Sequence, residues 1–360
     1  MNKKDKLVFD EQNIELEEIE SENTDSETDT AEYKINTYGA DFTLELLSKK
    51  IDEGEIIIPS FQRRYVWPLK KASKLIESFL LGLPVPQIFL YREKETQNLL
   101  VVDGQQRLKT INYFLKGKFG DGSIFKLTGV KERWNNKKYD ELELSDRRKI
   151  NNYILRANIF EQTDPQDNSS IFEIFERLNT GGMTLNQQEI RNCIIRGNIG
   201  DFLNELNNNA NWRNVILRKK YPDQRMKDIE MIIRFWALLE KRDNYKKPMK
   251  DFLTNFMKEK NNLNKDDKEK FKKIFDENVN LVSREISEKP FRLKAGINVA
   301  IYDSVMVAIA TIGSNKILDF KEKYNRLLNN DAYLKNVSEH TTDVDLVKRR
   351  IRLAIDYFKK

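Results

Sequence analysis

The sequence predicts an α+β domain followed by a mainly α-helical one, and three observations carry that expectation. Between residues 42 and 115, short β-branched runs alternate with amphipathic stretches of helical period. From residue 196 onward only the helical period remains, with lysines and arginines on the polar faces. The chain has 360 residues, 39% of them hydrophobic, enough for about two cores of ordinary domain size.

The first element is a tail. Residues 1–30 hold eleven acids and three lysines, a net −8 in a chain of +6, so the rest carries +14. The stretch ELEEIESENTDSETDT has no periodic apolar face and too little apolar area to offset the entropy of ordering, so residues 1–34 read as a disordered acidic tail. Two roles fit it equally: competition with nucleic acid for the basic body, or solubility without a partner.

The α+β domain is expected over residues 35–195. DFTLELLSKKI sets Phe42, Leu44, Leu46, Leu47 and Ile51 on one side of a helix over 42–51. EIIIP, residues 55–59, is a brief strand closed by proline. The face of Ala72, Leu75, Ile76, Phe79 and Leu80 predicts a helix over 70–81, ended by Gly82 and Pro84. Ile88–Tyr91 and Leu99–Val102 are neighbouring strands across a polar turn, and a helix over 105–115 follows. IFEIFERL is core helix at 171–178, and another helix starts near Asn186. Residues 196–360 form a basic helical domain, with helices expected at 229–239, 250–258, 268–282, 294–312, 317–328 and 344–358. Those basic faces suit a DNA backbone or plain solvent equally.

The chemistry concentrates in VVDGQQRLKT, residues 101–110. A strand that feeds a helix through Asp-Gly leaves the first helical N–H groups unpaired at the sheet end, a setting that attracts phosphates. There Gly104 lets a ligand approach the backbone, Arg107 offers a forked donor, and Asp103 either caps the helix or holds hydrated magnesium. Gln105 and Gln106 are placed to orient a water. The plain alternative is an N-cap, a turn glycine and a surface arginine. FQRRYVWP adds Arg63 and Arg64 among Phe61, Tyr65 and Trp67, a combination that grips phosphates and stacks bases, or else an aromatic loop on the core. The turn of Asn179, Thr180, Gly181 and Gly182 permits close approach of a ligand.

In order and in register over roughly residues 40–195, IPSFQRRYVW, LPVPQIFL, VVDGQQRL and FERLNTGGMTLNQQEI resemble the N-terminal domain family of GmrSD-type modification-dependent restriction systems. The resemblance implies a core similar to ParB and sulfiredoxin folds, hydrolysis of a nucleoside triphosphate with Mg2+, and a place in bacterial defence against phage DNA. It implies that Asp103, Gly104, Gln105, Gln106 and Arg107 form the nucleotide motif. Gln62 and Arg63 then complete the phosphate pocket, and Arg64, Tyr65, Trp67, Asn179, Gly181 and Gly182 contact DNA or its bases.

Two-part members of that family carry a C-terminal HNH nuclease, which needs a histidine in a ββα unit. The only histidine here is His340, in SEHTTDVD, so a separate nuclease subunit is the expected partner. A non-catalytic binding module and a metal-dependent nuclease using Asp103 and Glu189 are the alternatives. Cys193 stands alone in an apolar run, which reads as an inert thiol and excludes an intramolecular disulfide or a multi-cysteine zinc site. Nothing points to haem or flavin. A charged fraction of 33%, a mean hydropathy of −0.67 and the absence of a signal-like N-terminus predict a cytoplasmic protein without membrane association.

Overall fold

The computed structural model describes residues 14–16, 34–58, 65–94, 96–164, 174, 186–195, 197–223, 225–286 and 288–359. The helix expected at 171–178 and the side chain of Cys193 lie outside them. The chain forms two compact units, one of residues 31–185 and one that joins residues 186–360 to residues 1–30. A mixed sheet in the first and helices in the second give the expected fold class.

Strand β1 (Lys34–Thr43) leads directly into helix α1 (Leu44–Asp52), where the Thr43 hydroxyl accepts from the Leu46 N–H at 3.2 Å. The helix expected from Phe42 therefore starts at Leu44, because Thr43 is its cap and Phe42 still belongs to the strand. After β2 (Ile56–Ile57), helix α2 (Leu69–Leu81) stops at Gly82, whose φ of 69° is the left-handed conformation of a helix end. Strands β3 (Ile88–Arg92) and β4 (Leu99–Asp103) follow, then α3 (Gln105–Leu115), α4 (Leu144–Asn152) and β5 (Ile154–Asp164).

The sheet runs in the order β1-β5-β3-β4-β2. The β1–β5 and β3–β4 pairs are antiparallel, while β5–β3 and β2–β4 are parallel. Leu155, Ala157 and Ile159 of β5 are buried on one face, where they join Leu90 and Val101 and the helix residues Leu47, Ile76, Phe79, Leu108, Ile111 and Phe114 in one core. This core fixes the end of β4 against the start of α3, and the candidate site lies at that junction.

The second unit contains α5 (Gln187–Ile194), α6 (Asn198–Asn207), a π-helical turn (Trp212–Leu217), α7 (Lys227–Lys241), α8 (Met249–Glu259) and α9 (Lys265–Glu285). It continues with α10 (Val299–Ile312), α11 (Phe320–Leu328), α12 (Asp331–Ser338) and α13 (Val344–Lys359). Helix α10 is buried from Val299 through Ile309 and packs on α7 and α13. Its Asp303, fully buried, accepts from Arg234 Nη2 of α7 at 2.7 Å and lies 3.4 Å from Arg350 Nη2 of α13. Two guanidiniums thus share one carboxylate. Among the described residues no helix is long and apolar enough to cross a membrane.

The expectation of a structureless tail fails at residues 14–16. Ile14 is buried, its N–H donates to Asp223 Oδ2 at 2.5 Å, and the Ile297 N–H donates to the Glu15 carbonyl at 2.9 Å. An isoleucine inside this acidic stretch can dock because the helical core offers it an apolar seat, and burying such a side chain contributes about 1.5–3 kcal/mol. Ile14→Ala is therefore expected to lower stability by roughly 2 kcal/mol and to speed hydrogen exchange at the Ile297 amide. Unchanged exchange there would show that the segment does not hold in solution.

Candidate functional site

Strand β4 ends at Asp103, Gly104 takes φ 100° and ψ 6°, and α3 begins at Gln105. Gly104 has no side chain to cap the helix, and the first helical hydrogen bond runs from the Leu108 N–H to the Gly104 carbonyl at 2.9 Å. The start of α3 thus keeps the anion-attracting character expected of an uncapped N-terminus. Gly104 itself answers to two constraints. Its φ is one that side chains rarely adopt, and an added Cβ would lie 2.4 Å from Ile88 Cγ2. The close approach at Gly104 is therefore made by a core side chain of β3, where the sequence suggested a ligand.

Asp103 does not cap the helix. Its Oδ2 accepts from Arg107 Nη2 at 2.8 Å, and its side chain remains 45% exposed. Arg107, by contrast, is largely buried, and its Nη1 donates to the Pro86 carbonyl and to the Gln87 carbonyl at 2.9 Å. Burial lowers the Arg107 pKa, and the charge of Asp103 opposes that shift. The expected phosphate fork is thus committed to the loop before β3 and to Asp103.

Gln106 accepts from the Val66 N–H through Oε1 at 3.1 Å, while its Nε2 is buried without a hydrogen-bond partner among the described residues. A buried amide that lacks an acceptor is costly. Tyr65 hydrogen-bonds Thr110 Oγ1 at 2.8 Å and lies edge-on to Tyr113 with ring centroids 5.3 Å apart. Burial pushes its phenol up to about 12, with the Thr110 hydrogen bond pulling the other way. Its ring and hydroxyl therefore serve to fix the 65–67 segment against α3. Trp67 is half-buried beneath Lys71, whose Nζ sits 4.5 Å from the ring centroid. Gln62, Arg63, Arg64, Asn179, Gly181 and Gly182 lie outside the described residues.

Lys109 escaped the sequence reading. It stands one helical turn after Gln105 on α3, and burial brings its ammonium down to about 8. The i, i+4 spacing from Gln105 was its available signal. Glu189 is used structurally: its Oε2 accepts from the Asn186 N–H at 2.6 Å in a capping box and pairs with Arg225 at 3.1 Å. Among the described residues no group of three or more histidine, cysteine or acidic side chains is placed to hold a metal. A lone Asp103 already paired with a guanidinium does not fit a resident metal centre. His340 follows α12 with φ 46°, and the described residues of the helical unit form no strand pair for a ββα nuclease.

The structure thus defines a two-unit protein in which an α+β unit presents an Asp-Gly-Gln-Gln-Arg turn at the end of a sheet strand and a helical unit follows. Residues 43–196, a little under half of the chain, match the family model of the GmrSD restriction endonuclease N-terminal domain. No curated protein matches the chain.

Proposed function

We propose that the α+β unit binds a nucleoside triphosphate at the β4–α3 turn and hydrolyses it, within a restriction system that acts on DNA and leaves cleavage to a separate nuclease subunit. The observation that carries this reading is the uncapped start of α3 beside a buried, unpartnered Gln106 amide. Phosphate oxygens are the acceptors that such donors lack.

In this reading magnesium arrives with the nucleotide as part of the substrate. The N-terminal amides of α3 and Gln106 Nε2 hold the phosphates, and Lys109 adds positive charge one turn along. A water attacks the γ-phosphorus, the bond to the diphosphate breaks, and the exposed Asp103 carboxylate orients the water and takes its proton. Gln105 assists in placing that water. Arg107 holds Asp103 and the 86–87 carbonyls in position.

A phosphate-release assay with each nucleoside triphosphate, with and without DNA, tests the proposal. Gln106→Ala and Asp103→Asn are each expected to lower turnover at least about tenfold, the scale of one lost transition-state contact, at nearly unchanged melting temperature. The commitment of Arg107 to protein acceptors favours a second reading, nucleotide binding without turnover. Nucleotide binding in the absence of any phosphate release would establish that reading and end the first.

A further inference from the structure

Residues 186–360 carry 36 lysines and arginines against 25 acids, so most of the chain's positive charge belongs to the helical unit. Part of it gathers around one cavity of about 210 Å³, lined by Arg218, Lys219, Lys289 and Arg292 together with Leu217 and Glu15. Arg218 and Lys289 are exposed and Lys219 and Arg292 half-buried, and cations set side by side repel one another unless an anion joins them. The fold nevertheless holds these together. Arg292 is fixed by hydrogen bonds to the Pro290 carbonyl at 3.0 Å and the Ile216 carbonyl at 3.1 Å. Burial, and then the nearby charge of Arg218, lower its pKa, with Glu15 acting in the opposite direction.

The backbone around the cavity is held in an uncommon conformation. Arg218, Lys289 and Phe291 take φ of 57°, 46° and 61°, left-handed values that cost non-glycine residues energy. Strain of this kind persists where the surroundings enforce it, and here it presents cations at a pocket mouth. The acid among the lining residues is Glu15, whose charge acts on Arg292, in the segment anchored by buried Ile14 and by the bond between the Glu15 carbonyl and Ile297. An acidic segment thus rests where an external anion would sit.

We propose that this basic pocket seats a phosphate of the DNA backbone, and that Glu15 occupies its rim until DNA displaces that carboxylate. Apart from Glu15, the described lining residues are cationic and aliphatic, with no aromatic ring among them to stack a base, which favours backbone phosphate over a free nucleotide. The inference rests on the reading that the chain works on DNA. It adds the place of contact.

Fluorescence anisotropy of a labelled DNA duplex with the full chain, over a series of salt concentrations, tests it. Arg218→Glu with Lys289→Glu is expected to weaken binding at least about tenfold at low salt and to reduce the salt slope by about two, with melting temperature and nucleotide affinity retained. Glu15→Gln is expected to tighten binding about two- to threefold. Equal charge reversal at exposed Lys265 and Lys273 of α9, remote in sequence from the pocket, is expected to change affinity less than about threefold. A duplex bound equally by wild type and the pocket variant, or weakened equally by the α9 reversal, overturns the pocket and leaves the DNA reading intact. Wild-type protein that binds no duplex at low salt overturns both.

Discussion

Asp303→Ala is expected to lower the stability of the helical unit by about 3–5 kcal/mol, the cost of breaking a buried ion pair from one side. For a unit of this size that is a fall in melting temperature of roughly 10 °C. The loss follows from stoichiometry. Arg234 and Arg350 are both buried, and Asp303 is the carboxylate they share. Burial works against the charge on Arg234, and Asp303 more than offsets it through charge and hydrogen bonding. For Arg350, burial prevails over the help from Asp303, and Arg234 repels it as well. Arg350 is the surplus cation. Arg350→Met should therefore cost less than Asp303→Ala by at least about 1 kcal/mol, because it leaves a neutral pair behind. Denaturant unfolding of both variants checks the order, and a reversed order would refute the shared-carboxylate account.

Gly104→Ala is expected to cost about 2–5 kcal/mol, the sum of left-handed strain and overpacking, and to abolish nucleotide binding with it. A Cβ at this position meets Ile88 Cγ2 at 2.4 Å and Ile88 Cβ at 2.9 Å, so the strand and the turn cannot both keep their places. Ile88→Ala removes the nearer atom. The double variant should accordingly be more stable than the two single losses predict when added, by about 1 kcal/mol or more. Strict additivity in denaturant melts would locate the conflict somewhere other than Ile88.

Periodicity disclosed the elements that bury one clean face. The expected helix over 105–115 is the observed α3, and the strands at 88 and 99 differ from expectation by one residue at their ends. Strand β1 was hidden because its residues from Asn36 to Gly39 are exposed on both faces, which leaves no alternation to detect. Strand β5 did carry a signal in Leu155, Ala157 and Ile159, diluted by Arg156 and Asn158 between them. Within the site, the sequence placed Asp103, Gly104, Gln105, Gln106 and Arg107 together at the head of a helix. It could not show that Arg107 would turn toward Pro86 and Gln87, because those acceptors are backbone carbonyls brought near by folding. Side-chain identity does not encode such partners. Lys109 was overlooked for a related reason, since its lowered pKa comes from burial rather than from any motif.

Ile14 finds its acceptor on Asp223, 209 residues further along, and the sheet unit lies between them in the sequence. During synthesis this segment leaves the ribosome well before its seat, which does not exist until Ile297 and the helices around it have emerged. The sheet unit can close much earlier, once residue 164 completes the ladder between β5 and β1. Residues 14–16 therefore wait long for their partners, and are then held by Ile14, the partly buried Leu16 and a few hydrogen bonds. A short terminal contact with few partners is among the first to open in a folded protein. A segment joined to its unit in this way can come away while the helices that seat it stay packed.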